Sequence, residues 1–165
     1  MSSRVLLLLV VIALAGCGFR LRGYADVPFE TLYVSDTRSG LGLELKRVLE
    51  AGTSARVVSD TRQAQAVLEI SGEGRSREIL SLTAAGRVRE FMLRYRLSYR
   101  VHDGRGGEYI PSSAINLQRD MTFQDELALA KEHEEQLLFR DMQSEAVQLI
   151  LRRMSAAQRP LPKAE

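Results

Sequence analysis

Between residues 91 and 102 apolar and polar side chains alternate without a break: Phe91, Leu93, Tyr95, Leu97, Tyr99 and Val101 against Met92, Arg94, Arg96, Ser98, Arg100 and His102. A period of two predicts a strand with one buried and one wet face. Upstream, Thr31-Leu32-Tyr33-Val34 is a short β-branched and aromatic run closed by Ser35-Asp36. Ser39 then caps a helix in which Leu41, Leu45, Val48 and Leu49 share one face, with Gly52 placed where a helix ends in the left-handed conformation. A short strand follows around Arg56-Val57-Val58. Strand, helix and strand fit a right-handed parallel crossover or an antiparallel pairing. Ala66 to Ser71 is a further strand, bent or bulged at Gly72 and Gly74, resuming at Ile79 to Leu82 and turning at Thr83-Ala84-Ala85-Gly86. After the alternating strand, Asp103 to Gly107 predicts a hairpin loop into a strand over Glu108 to Gln118. Ile115 and Leu117 there face the core, and Pro111 confines the strand to an edge or interrupts it.

The last pattern has the helical period. From about Asp125 to Met154, Leu127, Ala130, Leu138, Met142, Ala146, Leu149 and Ile150 form one stripe, with Thr122 or Asp125 as cap. Acidic residues gather early and Arg152-Arg153 fall in the last turn, as the helix dipole favours. Striped helices and a sheet with one apolar face pack as two layers, so the expected fold is an α+β two-layer sandwich in the order β-α-β-β-β-α. Residues 31–155 form its single domain, and residues 156–165, with Pro160 and Pro162, a frayed tail.

Ahead of these elements the pattern differs in kind. Arg4 and an apolar run from Val5 to Ala15 have the grammar of a secretory signal. The run is shorter than the ~20 apolar residues that span a bilayer, and it ends in Gly16-Cys17. Ala15-Gly16-Cys17 resembles the lipobox of bacterial lipoproteins, in which the thiol carries diacylglycerol, the preceding peptide is removed and the new amine is acylated. The competing reading of Cys17 is a small apolar residue closing an ordinary signal peptide or a short membrane helix. Residues 1–16 are thus expected to be a signal peptide, and residues 17–30, broken by Gly18, Gly23 and Pro28, a lipidated tether. One acyl chain holds a protein marginally and two or more hold it stably. Gly18 stands where the inner-membrane retention signal of enterobacterial lipoproteins has an Asp, which points to the periplasmic side of the outer membrane.

Of 165 residues, 23 are Lys or Arg and 21 are Asp or Glu, for a formal net charge of +2, a balance that does not suggest nucleic acid. Cys17 is the single cysteine, so the lipidated domain has no disulfide and depends on packing. His102 and His133 lack a second ligand at metal spacing and read as solvated surface residues; no metal site is expected. Gly72-Glu73-Gly74 lacks the third glycine of a dinucleotide loop, and no Gly-x-Ser-x-Gly elbow marks a nucleophile, so no catalytic residue is assigned. Glu132, Glu134 and Glu135 read as a wet helix face. Arg94, Arg96 and Arg100 project from one strand face, with Arg87 and Arg89 beside the preceding turn. Such a stripe holds phosphates through charge-assisted hydrogen bonds, or simply keeps a strand soluble and unpaired.

Cys17-Gly18-Phe19-Arg20-Leu21-Arg22-Gly23 is similar to the Cys-Gly-aromatic-x-Leu-Arg start of the LPS-assembly lipoprotein family, LptE. Leu127-Ala128-Leu129-Ala130-Lys131-Glu132-His133-Glu134-Glu135-Gln136 resembles that family's Ala-Leu-Ala-Lys-x-x-Glu helix segment. The resemblance implies two helices packed on one face of a four-stranded mixed sheet, seated as a plug inside the LptD outer-membrane β-barrel. It implies assembly and gating of the lipopolysaccharide translocon with no reaction catalysed, and no cofactor beyond the diacylglycerol and N-acyl chain on Cys17. It places Lys131 on a lysine that contributes to lipopolysaccharide binding. The family's second cationic position falls near Ala84 and Ala85, and Arg87 or Arg89 is expected to substitute for it. Barrel lumens are polar, so the Arg94, Arg96, Arg100 face is expected to meet barrel wall or lipid A phosphates. The alternative is another outer-membrane lipoprotein, a small-ligand carrier or an accessory of a different envelope machine, marked by an apolar pocket between sheet and helices.

Overall fold

The computed structural model describes residues 27–37 and 40–158. Cys17 with the expected signal peptide, the first part of the expected tether, Ser39, Pro160 and Pro162 lie outside the described residues. In chain order the elements are β1 (Thr31–Val34), α1 (Gly40–Gly52), β2 (Arg56–Val58), a 3-10 turn (Thr61–Gln63), β3 (Ala66–Leu82), β4 (Val88–His102), β5 (Glu108–Thr122), a second 3-10 turn (Asp125–Leu127) and α2 (Ala128–Ala156). The five strands form one sheet in the order β2-β1-β3-β4-β5. Here the expected four-stranded sheet is corrected: β2 pairs parallel with β1 through Leu32 and Val57 and adds a fifth strand. β1 also runs parallel to β3, which settles the crossover as parallel, while β3, β4 and β5 are antiparallel.

The period of two in β4 becomes burial. Leu93, Tyr95, Leu97, Tyr99 and Val101 are at most 1% exposed. They face Leu41, Leu45 and Leu49 of α1 and Met142, Ala146, Val147 and Ile150 of α2 in one core. Val27 and Phe29 join that core, so the packed body takes in the end of the expected tether; Phe29 meets Tyr109 edge-on at 5.4 Å. The two core tyrosines keep polar partners. Tyr95 donates to Glu73 at 2.8 Å, and Arg153 donates to the Tyr99 oxygen at 3.1 Å.

The turns follow the residues that allow them. Gly86 takes φ +74° in the Thr83 turn, and Asp103 Oδ1 accepts from the Arg105 and Gly107 amides in the β4–β5 loop. Pro111 lies on the edge strand β5, where the register with β4 slips between Tyr99 and Val101. Strand β3 does not stop at the glycines: it runs through them, with a bulge between Ile70 and Gly72. Gly52 is the last residue of α1 rather than a left-handed cap, and Thr53 closes that end by donating both its N–H and its hydroxyl to the Leu49 carbonyl. Helix α2 begins at Ala128 without a side-chain cap. Asp125 lies in the preceding 3-10 turn, and the Thr122 hydroxyl instead accepts from Lys131. Leu127 and Ala130 are exposed rather than part of the stripe, because the apolar side chains of α2 pack on the core only from Leu138 onward.

Helix α1 lies hard against the turn that feeds it. A Cβ on Gly42 would stand 2.1 Å from the Asp36 carbonyl oxygen, and Asp36 itself has φ +49°. Gly42→Ala therefore forces main chain apart and is expected to cost about 1–3 kcal/mol in urea unfolding followed by circular dichroism. Gly72→Ala, whose Cβ would meet nothing within 4 Å, is expected to stay within about 0.5 kcal/mol of the parent.

Candidate functional site

The hairpin β3–β4 is longer than the core it covers. Beyond Ile70, β3 is exposed over ten consecutive residues, Ser71 to Leu80. β1 pairs with β3 only from Ala66 to Leu68, so the outer edge of β3 beyond Ser71 has no strand beside it among the described residues. At the far end of this hairpin the Thr83 turn, the end of β5 and the start of α2 come together. The Phe123 amide donates to the Arg89 carbonyl at 2.8 Å, and Phe91 and Phe123 meet edge-on at 5.1 Å. Arg77 lies over Phe91 at 4.6 Å and pairs with Glu135 of α2 at 2.8 Å, holding strand to helix.

Three of the expected site residues meet at this end. Lys131 is 14% exposed and sits in a fixed cradle, its Nζ 2.7 Å from Glu134 and 3.2 Å from the Thr122 hydroxyl. Arg87 and Arg89 are loosely held, 3.8 Å from Asp125 and 3.7 Å from Glu90, and both are more than 60% exposed. Large apolar side chains are also uncovered on the elements that reach this end: Ile79, Leu80 and Leu82 on β3, Leu127 and Leu129 at the start of α2. Cations next to exposed hydrocarbon make an amphiphilic end, suited to a ligand that combines anionic groups with apolar chains. The apolar half was missed in the sequence, although it carried a signal: Ile79 and Leu80 are adjacent in a strand and cannot both face one layer.

Arg94, Arg96 and Arg100 do share the sheet face turned away from the helices, but they are not a free basic stripe. Arg94 pairs with Glu78 at 3.3 Å and Arg100 with Glu69 at 2.6 Å, leaving Arg96 exposed between them. His102 is not a solvated residue: its Nδ1 accepts from the Gly104 amide and its Nε2 lies 3.6 Å from Glu69. His133 is exposed as expected. Hydrogen bonding from Arg100, and its charge, hold the Glu69 carboxyl below the ordinary carboxylate range. Burial pushes the Tyr95 phenol up, and the neighbouring Glu73 adds to the shift. Among the described residues no group of His, Cys, Asp and Glu could hold a metal ion, and no helix is long and apolar enough to cross a membrane.

The class of this two-layer α+β body is that of the lipopolysaccharide-assembly proteins, whose family description matches residues 29–154 of this chain. The chain belongs to the LptE family. It is 29% identical to the LPS-assembly lipoprotein LptE of Yersinia enterocolitica, covering 93% of this chain and 77% of that protein. Among solved structures it is similar to the uncharacterized lipoprotein B of Nitrosomonas europaea, with a TM-score of 0.72 and 40% identity over 84% of this chain and 91% of the other. The rare lipoprotein B of Shewanella oneidensis gives a TM-score of 0.64 and 28% identity, over 76% of this chain and 92% of its own. The role of the chain is in lipopolysaccharide assembly, as an envelope lipoprotein.

The ion pair between Glu69 and Arg100 carries a pH signature. The folded carboxyl titrates below its ordinary value of 4.5. Its contribution to stability is therefore complete above that value and is lost as the pH falls through the lower folded-state value. Glu69→Gln is expected to flatten the acid side of a plot of Tm against pH, the variant and parent curves converging at the lowest pH, as read by thermal melts.

Proposed function

We propose that this chain is the lipoprotein partner of the LptD barrel, seated in its lumen, and that its amphiphilic end binds lipopolysaccharide without catalysing a reaction. The observation that carries the reading is that the elements reaching one end of the body carry both Lys131, Arg87 and Arg89 and the exposed Ile79, Leu80, Leu82, Leu127 and Leu129. Lipid A presents phosphates beside acyl chains. Arg87 and Arg89 have little to give up on meeting a phosphate, because their present ion pairs are long and solvated. Lys131 is already oriented by Thr122 and Glu134, which lowers the ordering cost of binding.

Acyl chains on Cys17 would hold the body at the periplasmic side of the outer membrane, and more than one chain makes that attachment stable. The carrier alternative needs an apolar cavity between the layers. That space is filled by Leu45, Tyr95, Leu97, Met142 and Ile150, each at most 1% exposed.

Purification of the tagged chain from outer membranes in mild detergent is expected to bring down a stoichiometric β-barrel of ~80–100 kDa, the size of the widest outer-membrane barrels. Elution of the folded, lipidated chain alone would overturn the barrel reading. Lys131→Glu combined with Arg87→Glu is expected to weaken lipopolysaccharide binding about tenfold or more with an unchanged circular dichroism spectrum; parental binding would remove both residues from the site. Cys17→Ser is expected to release the chain from the membrane fraction and to leave residues 1–16 attached, as mass spectrometry of the intact protein reads directly.

A further inference from the structure

The outer face of β4 carries one cation that no described residue answers. Arg94 and Arg100 are paired with Glu78 and Glu69. Arg96, between them, makes no ion pair or hydrogen bond among the described residues, and neither do the side chains of Asn116 and Gln118. Register sets Asn116 beside Arg96 and Gln118 beside Arg94. These four residues and Leu117 line a cleft of about 230 Å³. On the other side of Arg96 lies Gly74, where a Cβ would meet nothing within 4 Å, so that flank of the cleft is open main chain. The Arg94 Nε is sealed from solvent and has no acceptor, a costly state for a donor. Turning that guanidinium toward a ligand gives up only a 3.3 Å contact with Glu78 and a 3.9 Å contact with the Met92 sulfur.

We infer that this cleft binds a single sugar ring that carries an oxyanion, either a carboxylate or a phosphate. The guanidinium fork of Arg96 takes the oxyanion through charge-assisted hydrogen bonds. Each amide of Asn116 and Gln118 offers both donors and an acceptor. A bare anion uses only the donors, whereas sugar hydroxyls use both. The volume lies below the ~300–1,000 Å³ of sites for drug-sized ligands, which limits the occupant to about one ring. Glu78 and Asp120 bound the face beyond Arg94, so the anionic group lies at the Arg96 end and the hydroxyls toward Gln118. The cleft is on the sheet face away from the helices and stands whether or not the chain occupies a barrel or binds lipopolysaccharide through Lys131.

The test is a titration of the full-length, 15N-labelled chain in zwitterionic detergent with glucuronate and with glucosamine 1-phosphate. The side-chain signals of Arg96, Asn116 and Gln118 are followed. Saturable shifts at these three are expected, with a dissociation constant on the order of millimolar, as suits an open, solvated site. The tighter of the two ligands identifies carboxylate or phosphate as the preferred anion. Arg96→Gln, an exposed substitution whose folding the same spectrum reports, is expected to weaken binding about tenfold or more, and Lys131→Glu to leave it unchanged. Shifts of equal strength with glucose or inorganic phosphate would overturn the inference, as would no shift with either acidic sugar or parental affinity in Arg96→Gln.

Discussion

Strand β4 has to satisfy two edges and one face at once. It hydrogen-bonds to β3 along one side and β5 along the other for nearly its whole length, and its inward residues form the floor on which both helices rest. A slip of one residue would turn Arg94, Arg96 and Arg100 into the core and Leu93, Leu97 and Val101 into water. The alternation thus fixes register, and register decides which side chains meet across strands. Tyr95 and Tyr99 show how closely this is specified: both rings are buried, and each hydroxyl still reaches a charged partner at the margin of the core.

The parts of this fold that depend on local chemistry were legible in the sequence. The β4 period, the Gly86 turn, the Asp103 loop, the apolar face of α1 and the edge position forced by Pro111 are all properties of a few neighbouring residues. What the sequence did not disclose is set by distant partners. The strand at Arg56 to Val58 was readable, but the choice between its two possible pairings, and so its place in the sheet beside β1, depends on a register between segments joined by a whole helix. Leu127 and Ala130 fit a helical stripe by spacing, yet the layer they would face ends before it reaches them. At the candidate site the cations were visible as residues. Their neutralisation was not. Arg94 meets Glu78 and Arg100 meets Glu69 only because two strands lie in one particular register.

The body is divided along its length. One end is a closed two-layer core, and the other is a long hairpin and a helix start whose apolar residues face outward. Arg77 is the principal tie across the open end, bonded to Glu135 and stacked on Phe91, so the amphiphilic surface is held in shape by charge and ring contacts rather than by burial.

Helix α1 is joined to α2 by Gln143 and Ser144, which donate to Glu44 across 99 and 100 residues of sequence at 2.7 and 2.6 Å. The last helix therefore completes the layer that the first helix begins. Without α2 the floor that β4 provides is covered by α1 alone, so the core closes only when the final segment of the chain is in place.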